Sequence, residues 1–260
     1  LGLKKDCQDS GSPRSPFNCM SLRGISVNIE HDKHLDTVLP FLKTEKWDVL
    51  LVNELLATDV PKFEEALNED CFFVPMMRFH RPYGMIPFGH GVFSRVPVVI
   101  RDEQYAGPLG EVVDLIEGSS EDRFKTQKNF LIIVEANKEG VVYKLGFTHF
   151  PWTPDGEADN IQRACAKTLL EMAEKEGGMA LFGDFNAPRG KEIFSLFAEK
   201  FKDNIPAHYE TSVDENLHRA GKLMYMVDGC FTTPGYLASD VELRFGISDH
   251  AAVLASISKA

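Results

Sequence analysis

The segment "ALFGDFNAP" (Ala180–Pro188) sets a short apolar run against an abrupt polar end. Ala180 to Phe182 reads as a buried strand, and Gly183 leads into Asp184, Phe185, Asn186 and Pro188. A strand core excludes unpaired carboxylates, because taking an ion out of water is costly. Asp184 and Asn186 therefore mark the point where the strand leaves the core. Taken singly, such a residue is a turn former or a helix N-cap. The same event recurs along the chain, however. "ISVN" ends at Asn28, with Glu30 just beyond, and "LLVNE" ends at Asn53 and Glu54. "GFTH" ends at His149, "YMVD" at Asp228, and "ISDH" places Asp249 and His250 before a last apolar run. If these strands lie side by side, their polar ends share one mouth. Several carboxylates there repel one another and cannot all ionise unless a cation joins them. Oxygen ligation without cysteine suits a hard cation, Mg²⁺ or Mn²⁺, before Zn²⁺.

Composition narrows the partners. The 260 residues carry 28 basic and 39 acidic side chains, a net charge of −11, which disfavours broad salt-driven adhesion to nucleic acid or anionic membranes. A hydrophobic share of 43% supports a sizeable core. No apolar run approaches the roughly 18 residues of a membrane helix, so no membrane span is expected. The five cysteines are scattered, with no CxxC or Cys/His spacing. They read as free thiols in a reducing compartment, so a cytoplasmic location is expected; a monomer is also expected. Residues 1–19, "LGLKKDCQDSGSPRSPFNC", are polar and rich in Ser, Pro and Gly. They are expected to form a tail or linker before a single domain over 20–260, whose first strand starts near Leu22.

Hydrophobic patterning predicts strands at 22–28, 47–54, "CFFVPM", "HGVFSRVPVVI", "NFLIIVEA", "VVYKLGFTHF", "MALFGD", "KLMYMVDGCFTT" and "HAAVLASI". Helices are predicted over 34–46, where Pro40 should kink or shorten the element, over 60–69, over 158–176 and at "KEIFSLFAEKF". The stretches 101–128 and 203–221 read as polar surface excursions. Strand–strand neighbours are too frequent for a strict βαβ pattern. The expected fold class is α/β, a sandwich of two packed, mostly antiparallel sheets with helices on the outer faces. No GxSxG elbow, HExxH helix or GxxxxGK[ST] loop is present, and "GHGVFS" lacks the third glycine of a dinucleotide fingerprint.

In order, "SVNIE", "VNE", "GHGVFSR", "THF", "GDFNAP", "MVDGCF" and "SDHAAV" resemble the motif series of the endonuclease/exonuclease/phosphatase superfamily, with its deoxyribonuclease I-like fold. The resemblance spans roughly residues 22–258 and implies a four-layer α/β sandwich that hydrolyses phosphoesters with a divalent metal. It implies Glu54 as the main metal ligand, Asn28 beside it, and Asp249 near the metal. It also implies Asp184 positioning or deprotonating the attacking water, with Asn186 and His149 donating hydrogen bonds to phosphoryl oxygens. His250 would contact the phosphate or act as acid/base, oriented by Asp228. The pattern departs at Asn53, where the family commonly has Gln, and at Glu30, where AP endonucleases have Asp. The local basic clusters "RFHRPYG" (78–84) and "RFKTQKN" (123–129) offer Arg78, His80 and Arg123 as substrate-binding residues. Trp152, after "THF", offers a ring for stacking. The leading expectation is a metal-dependent phosphodiesterase or nuclease whose phosphoester substrate is DNA, RNA or a nucleotide-like ester. The alternatives are a phosphatase or phospholipase C-type hydrolase on lipid or inositol phosphates, and an inactive binding member.

Overall fold

Two six-stranded sheets lie face to face, with helices on both outer faces. The computed structural model describes residues 21–260; the tail expected over 1–19 lies outside the described residues. The chain runs β1 (Leu22–Asn28), α1 (Leu35–Thr44), β2 (Val49–Leu56), α2 (Val60–Leu67), β3 (Phe72–Arg81), β4 (Gly84–Ser94) and β5 (Val98–Ala106). It continues with α3 (Ser120–Phe124), β6 (Asn129–Lys138), β7 (Val141–His149), α4 (Asn160–Glu176), β8 (Ala180–Asp184) and α5 (Glu192–Lys200). The last strands are β9 (Lys202–Asp203), β10 (Asp228–Thr232), β11 (Tyr236–Arg244) and β12 (Ala252–Lys259). The strand orders are β11-β12-β1-β2-β4-β3 and β5-β6-β7-β8-β10-β9. Pairing is antiparallel except for β1–β2 and β7–β8, which are parallel.

Burial follows the layers. Between the sheets, Leu51, Val92 and Val253 of the first meet Ile132, Phe147 and Phe182 of the second in one apolar cluster. Val38 and Leu42 of α1 and Phe63 of α2 close the outer face of the first sheet. Cys165 and Leu169 of α4 and Phe197 of α5 close that of the second. Both faces of each sheet are covered, so the central strands are apolar throughout: β8 is buried at all five positions. The helix α4 starts at Asp159, whose carboxylate accepts the Gln162 N–H at 2.7 Å, a standard N-cap. Pro40 does not break α1, which runs through it. Among the described residues no helix is long and apolar enough to cross a membrane.

Three sequence expectations need correction. "HGVFSRVPVVI" is not one strand: it divides at Arg95–Pro97 into β4 and β5, which belong to different sheets. Pro97 has no N–H for a ladder and favours an extended residue before it, which suits a crossing between sheets. The "KLMYMVDGCFTT" strand starts only at Asp228, and 222–227 is loop. The edge strand β11 has no counterpart in the sequence reading. Its alternation is weak, and a register shift interrupts it between Ser239 and Glu242.

Candidate active site

The strand register brings the polar ends together. Asn28 pairs with Asn53 across the parallel β1–β2 ladder. Asp184 pairs with His149 on one side and with Asp228 on the other. The close β7–β8 approach depends on Gly183: at φ +142°, a Cβ there would lie 1.9 Å from the Thr148 carbonyl oxygen. Only glycine tolerates both conditions. β2 is disturbed where Glu54 emerges, with a register shift against β4 between Val52 and Leu55 and a φ of +63° at Glu54. Five of the eight described non-glycine residues with positive φ line the same cleft: Glu30, His31, Glu54, Asp155 and Asn186. Such conformations are costly and concentrate where a structure must aim particular groups.

The cleft has a volume of about 450 Å³. At its floor, the Asn28 amide donates to Glu54 Oε1 at 3.2 Å and to Asp184 Oδ2 at 3.1 Å. Asp184 Oδ1 accepts the Asn186 N–H at 2.8 Å, and Asn186 Nδ2 donates to the Phe150 carbonyl at 2.9 Å. His149 Nε2 stands 3.6 Å from Asp184 Oδ2 and 3.9 Å from Glu54 Oε1. His250 Nδ1 bonds Asp228 Oδ2 at 2.7 Å, leaving Nε2 toward Asp184, 3.9 Å from Oδ2. Burial disfavours the His250 cation, yet Asp228, Asp184 and Asp249 outweigh it and hold its pKa well above the usual histidine range. Burial in turn pushes the Asp228 carboxyl up, against the pull of His250 and Ser212, so the two groups share a proton across their 2.7 Å bond. Backbone N–H groups of Val227 and Asp228 in turn donate to Ser212 Oγ, which fixes the entry to β10.

Asp249 also lines the cleft. Burial pushes its carboxyl up to about 6, and Glu54 and Glu30 add to the rise, while His250 and Ser248 oppose it. Glu30 has Lys33 as a partner, and Asp184 and Asp228 face His250. Glu54 and Asp249, however, have no lysine or arginine partner among the described residues, a condition under which a divalent cation fits. The donor set is oxygen and imidazole, without thiolate, as a hard cation requires. Ligand atoms of Asp184, Asp228 and His250 lie within 4.8 Å of one another, as do those of Glu30, His34 and Asp249.

The cleft thus collects Asn28, Glu54, His149, Asp184, Asn186, Asp249 and His250 in its lining, with Asp228 directly behind His250. Arg123 and Trp152 also line it. Arg78 and His80 do not. Alternation along β3 turns Phe79 into the cleft and its neighbours away; Arg78 instead pairs with Asp114 and His80 is exposed. The basic appearance of 78–84 therefore misleads about where its charges point. The sequence reading also missed His31, stacked on Phe79 at 4.5 Å and Phe88 at 5.0 Å, and His34 against Glu30 at 3.0 Å. It missed the loop contributors His218, Arg219 and Tyr225. His31 and His34 directly follow the flagged "SVNIE", so a scan for titratable residues beside each strand end finds them. The loop residues carry no such signal.

No curated protein sequence matches the chain. Solved structures do. An endonuclease/exonuclease/phosphatase from Bacteroides vulgatus is 18% identical, with a TM-score of 0.67 over 93% of this chain and 100% of that one. The human Nocturnin catalytic domain with bound sulfate is 15% identical, with a TM-score of 0.68 over 92% and 94%. A mannosyl-6-phosphatase from Bacteroides thetaiotaomicron is 13% identical, with a TM-score of 0.65 over 92% and 100%. At these identities the likeness is one of fold. The sequence itself matches the family model described as Endonuclease/Exonuclease/phosphatase family over residues 25–250, the span that carries every polar strand end from Asn28 to His250. By fold and by sequence, the chain belongs to the endonuclease/exonuclease/phosphatase family.

Proposed function

We propose that the chain hydrolyses phosphate esters with the help of Mg²⁺ or Mn²⁺. The observation that carries this reading is the meeting of Asn28, Glu54 and Asp249 with His149, Asp184, Asn186 and the His250–Asp228 pair at one cleft. Glu54, Asn28 and Asp249 would hold the cation. When bound, it neutralises the crowded carboxylates and polarises a phosphoryl oxygen. Asp184 orients the attacking water and takes its proton as the new P–O bond forms. His149 and the free N–H of the Asn186 amide donate to the non-bridging oxygens, where charge gathers. His250, held at Nδ1 by Asp228, gives the proton on Nε2 to the leaving oxygen as the old P–O bond breaks. Water thus enters across phosphorus, and alcohol and phosphate leave.

Two substrate classes compete. The sequence reading placed a phosphodiesterase or nuclease first and a phosphatase or phospholipase C-type hydrolase second. The cleft lining favours a small ester over a nucleic-acid strand: it holds six acidic residues, two arginines and no lysine. A strand needs a continuous cationic track for its backbone. The buried free thiols of Cys165 and Cys230 support a reducing compartment, consistent with a cytoplasmic protein. The test is a panel of bis(p-nitrophenyl) phosphate, p-nitrophenyl phosphate and oligonucleotides, with added Mg²⁺ and after exhaustive chelation. Hydrolysis that needs the metal is expected. Full hydrolysis after chelation, or none of any ester with metal, would overturn the reading.

A further inference from the structure

Away from the catalytic groups, one wall of the cleft holds a cation without a counterion. Arg123, on the short helix α3, lies with its guanidinium 4.7 Å from the Trp152 ring centroid. Its Nε is buried and makes no hydrogen bond, and the guanidinium forms no ion pair among the described residues. The other arginine first flagged, Arg78, has its carboxylate in Asp114, and Arg81 has Asp32. In a chain with 39 acidic residues, a half-buried arginine left without one calls for an explanation. Burying a charge without a partner is costly. The cost is tolerated where a ligand supplies the partner.

Two further polar side chains in the same cleft lining are equally without a partner. Thr153 Oγ1 is buried without a hydrogen-bond partner, and Thr153 is only 2% exposed. Gln127, one turn beyond α3, lines the cleft with a side chain that bonds to no protein group among the described residues. The position of α3 is fixed from outside, by Ser120 Oγ donating to Asp159 Oδ2 at 2.6 Å at the start of α4. The cation–π contact with Trp152 favours this position of the guanidinium, which lowers the freedom to be lost on binding.

We propose that Arg123, Thr153 and Gln127 form a subsite for a second oxyanion of the substrate, a carboxylate or a second phosphate, on a small organic phosphate ester. The assignment deepens the proposed hydrolase reading and rests on it. A planar, forked guanidinium matches a carboxylate or phosphate through paired N–H···O bonds. One such group serves one extra anion. The neighbouring rim acids Glu117 and Asp155 oppose a run of them, as a nucleic-acid backbone would present.

The experiment compares ligands that differ only in the second anion, in EDTA so that no turnover occurs. Fructose 1,6-bisphosphate is set against fructose 6-phosphate, and 3-phosphoglycerate against glycerol 3-phosphate. Binding is read from tryptophan fluorescence, with Trp152 beside the subsite as reporter. The wild-type protein is expected to bind the member with the second anion about 10- to 100-fold more tightly, the range of a charge-assisted hydrogen-bonded contact. The two pairs decide between phosphate and carboxylate. Arg123→Gln should reduce the ratio to about one. Arg123→Lys should keep part of it, and Thr153→Val should lower it less than Arg123→Gln does. Circular dichroism checks that each variant is folded. A ratio near one in the wild type, a ratio unchanged in Arg123→Gln, or tighter binding of an oligonucleotide than of either second-anion ligand would overturn the proposal. Preference without hydrolysis of any ester in Mg²⁺ would instead sink the hydrolase reading and leave the anion subsite standing.

Discussion

At the scale of single residues, the cleft is built from groups held under constraint. Gly183 is the clearest. Its backbone conformation and its approach to Thr148 both exclude a side chain, so Gly183→Ala should cost roughly 2–4 kcal/mol of stability, read as a lowered urea midpoint. His90 is constrained by burial. It is fully enclosed, with Nδ1 bonded to Asn53 Oδ1 at 2.8 Å. Burial, with His149 adding, holds its pKa well below the ordinary histidine value of 6.5. The folded state therefore keeps His90 neutral while the unfolded state takes up a proton. Its contribution to stability is complete above the unfolded value and is lost as pH falls below it, toward the folded one. Between pH 6.5 and 5 the wild-type protein should lose stability faster than His90→Gln, by up to about 1.4 kcal/mol per pH unit. Equal slopes in urea titrations of the two proteins would contradict this. Most of the residues that meet in the cleft were legible at this scale, because a polar residue ending an apolar run is visible in sequence. His90 was not, since a histidine inside "GHGVFS" gives no sign of whether it faces core or cleft.

At the scale of elements, the decisive feature is the disturbed end of β2. The irregular pairing with β4 and the positive φ of Glu54 direct its carboxylate toward Asn28 and the cleft. If Glu54 holds the cation, added Mg²⁺ should stabilise the protein. At a 100-fold excess over Kd the gain is about 2.7 kcal/mol, or roughly 5–10 °C in Tm for a chain of this size. Glu54→Gln should abolish that shift. It should leave the metal-free Tm unchanged or slightly raised, because one carboxylate leaves a crowded site. An undiminished Mg²⁺ shift in Glu54→Gln would remove Glu54 from the metal site. Elements were unevenly legible in sequence. β1 and α4 stand out because apolar period and ends agree. β4 and β5 ran together because "HGVFSRVPVVI" is apolar across the point where the chain changes sheet. β11 was missed because an exposed edge strand buries little and so shows little alternation. Arg78 and His80 looked like substrate contacts for a related reason: a cluster of charges in sequence does not show which side of a strand each faces.

At the scale of the whole molecule, the two sheets and their covering helices serve to bring strand ends from both sheets to one mouth. β1 and β2 come from one sheet, and β7, β8 and β10 from the other. The layered class followed from the mixture of strand–strand and strand–helix neighbours, and the motif series fixed it more narrowly. The long-range pairing Asp184–His149 and Asp184–Asp228 is a property of sheet order and could not be read locally. Asp184 is the residue that meets both flanking strands of the second sheet, through His149 and Asp228. Asp184→Asn keeps the size and most of the hydrogen bonding but removes the charge that would orient water. The direct test is turnover of a phosphate ester by folded Asp184→Asn protein at saturating Mg²⁺. A fall of about 10²- to 10³-fold is expected, the usual cost of losing a transition-state contact. Turnover near that of the wild type would mean that "GDFN" only ends a strand, and that the chemistry lies elsewhere.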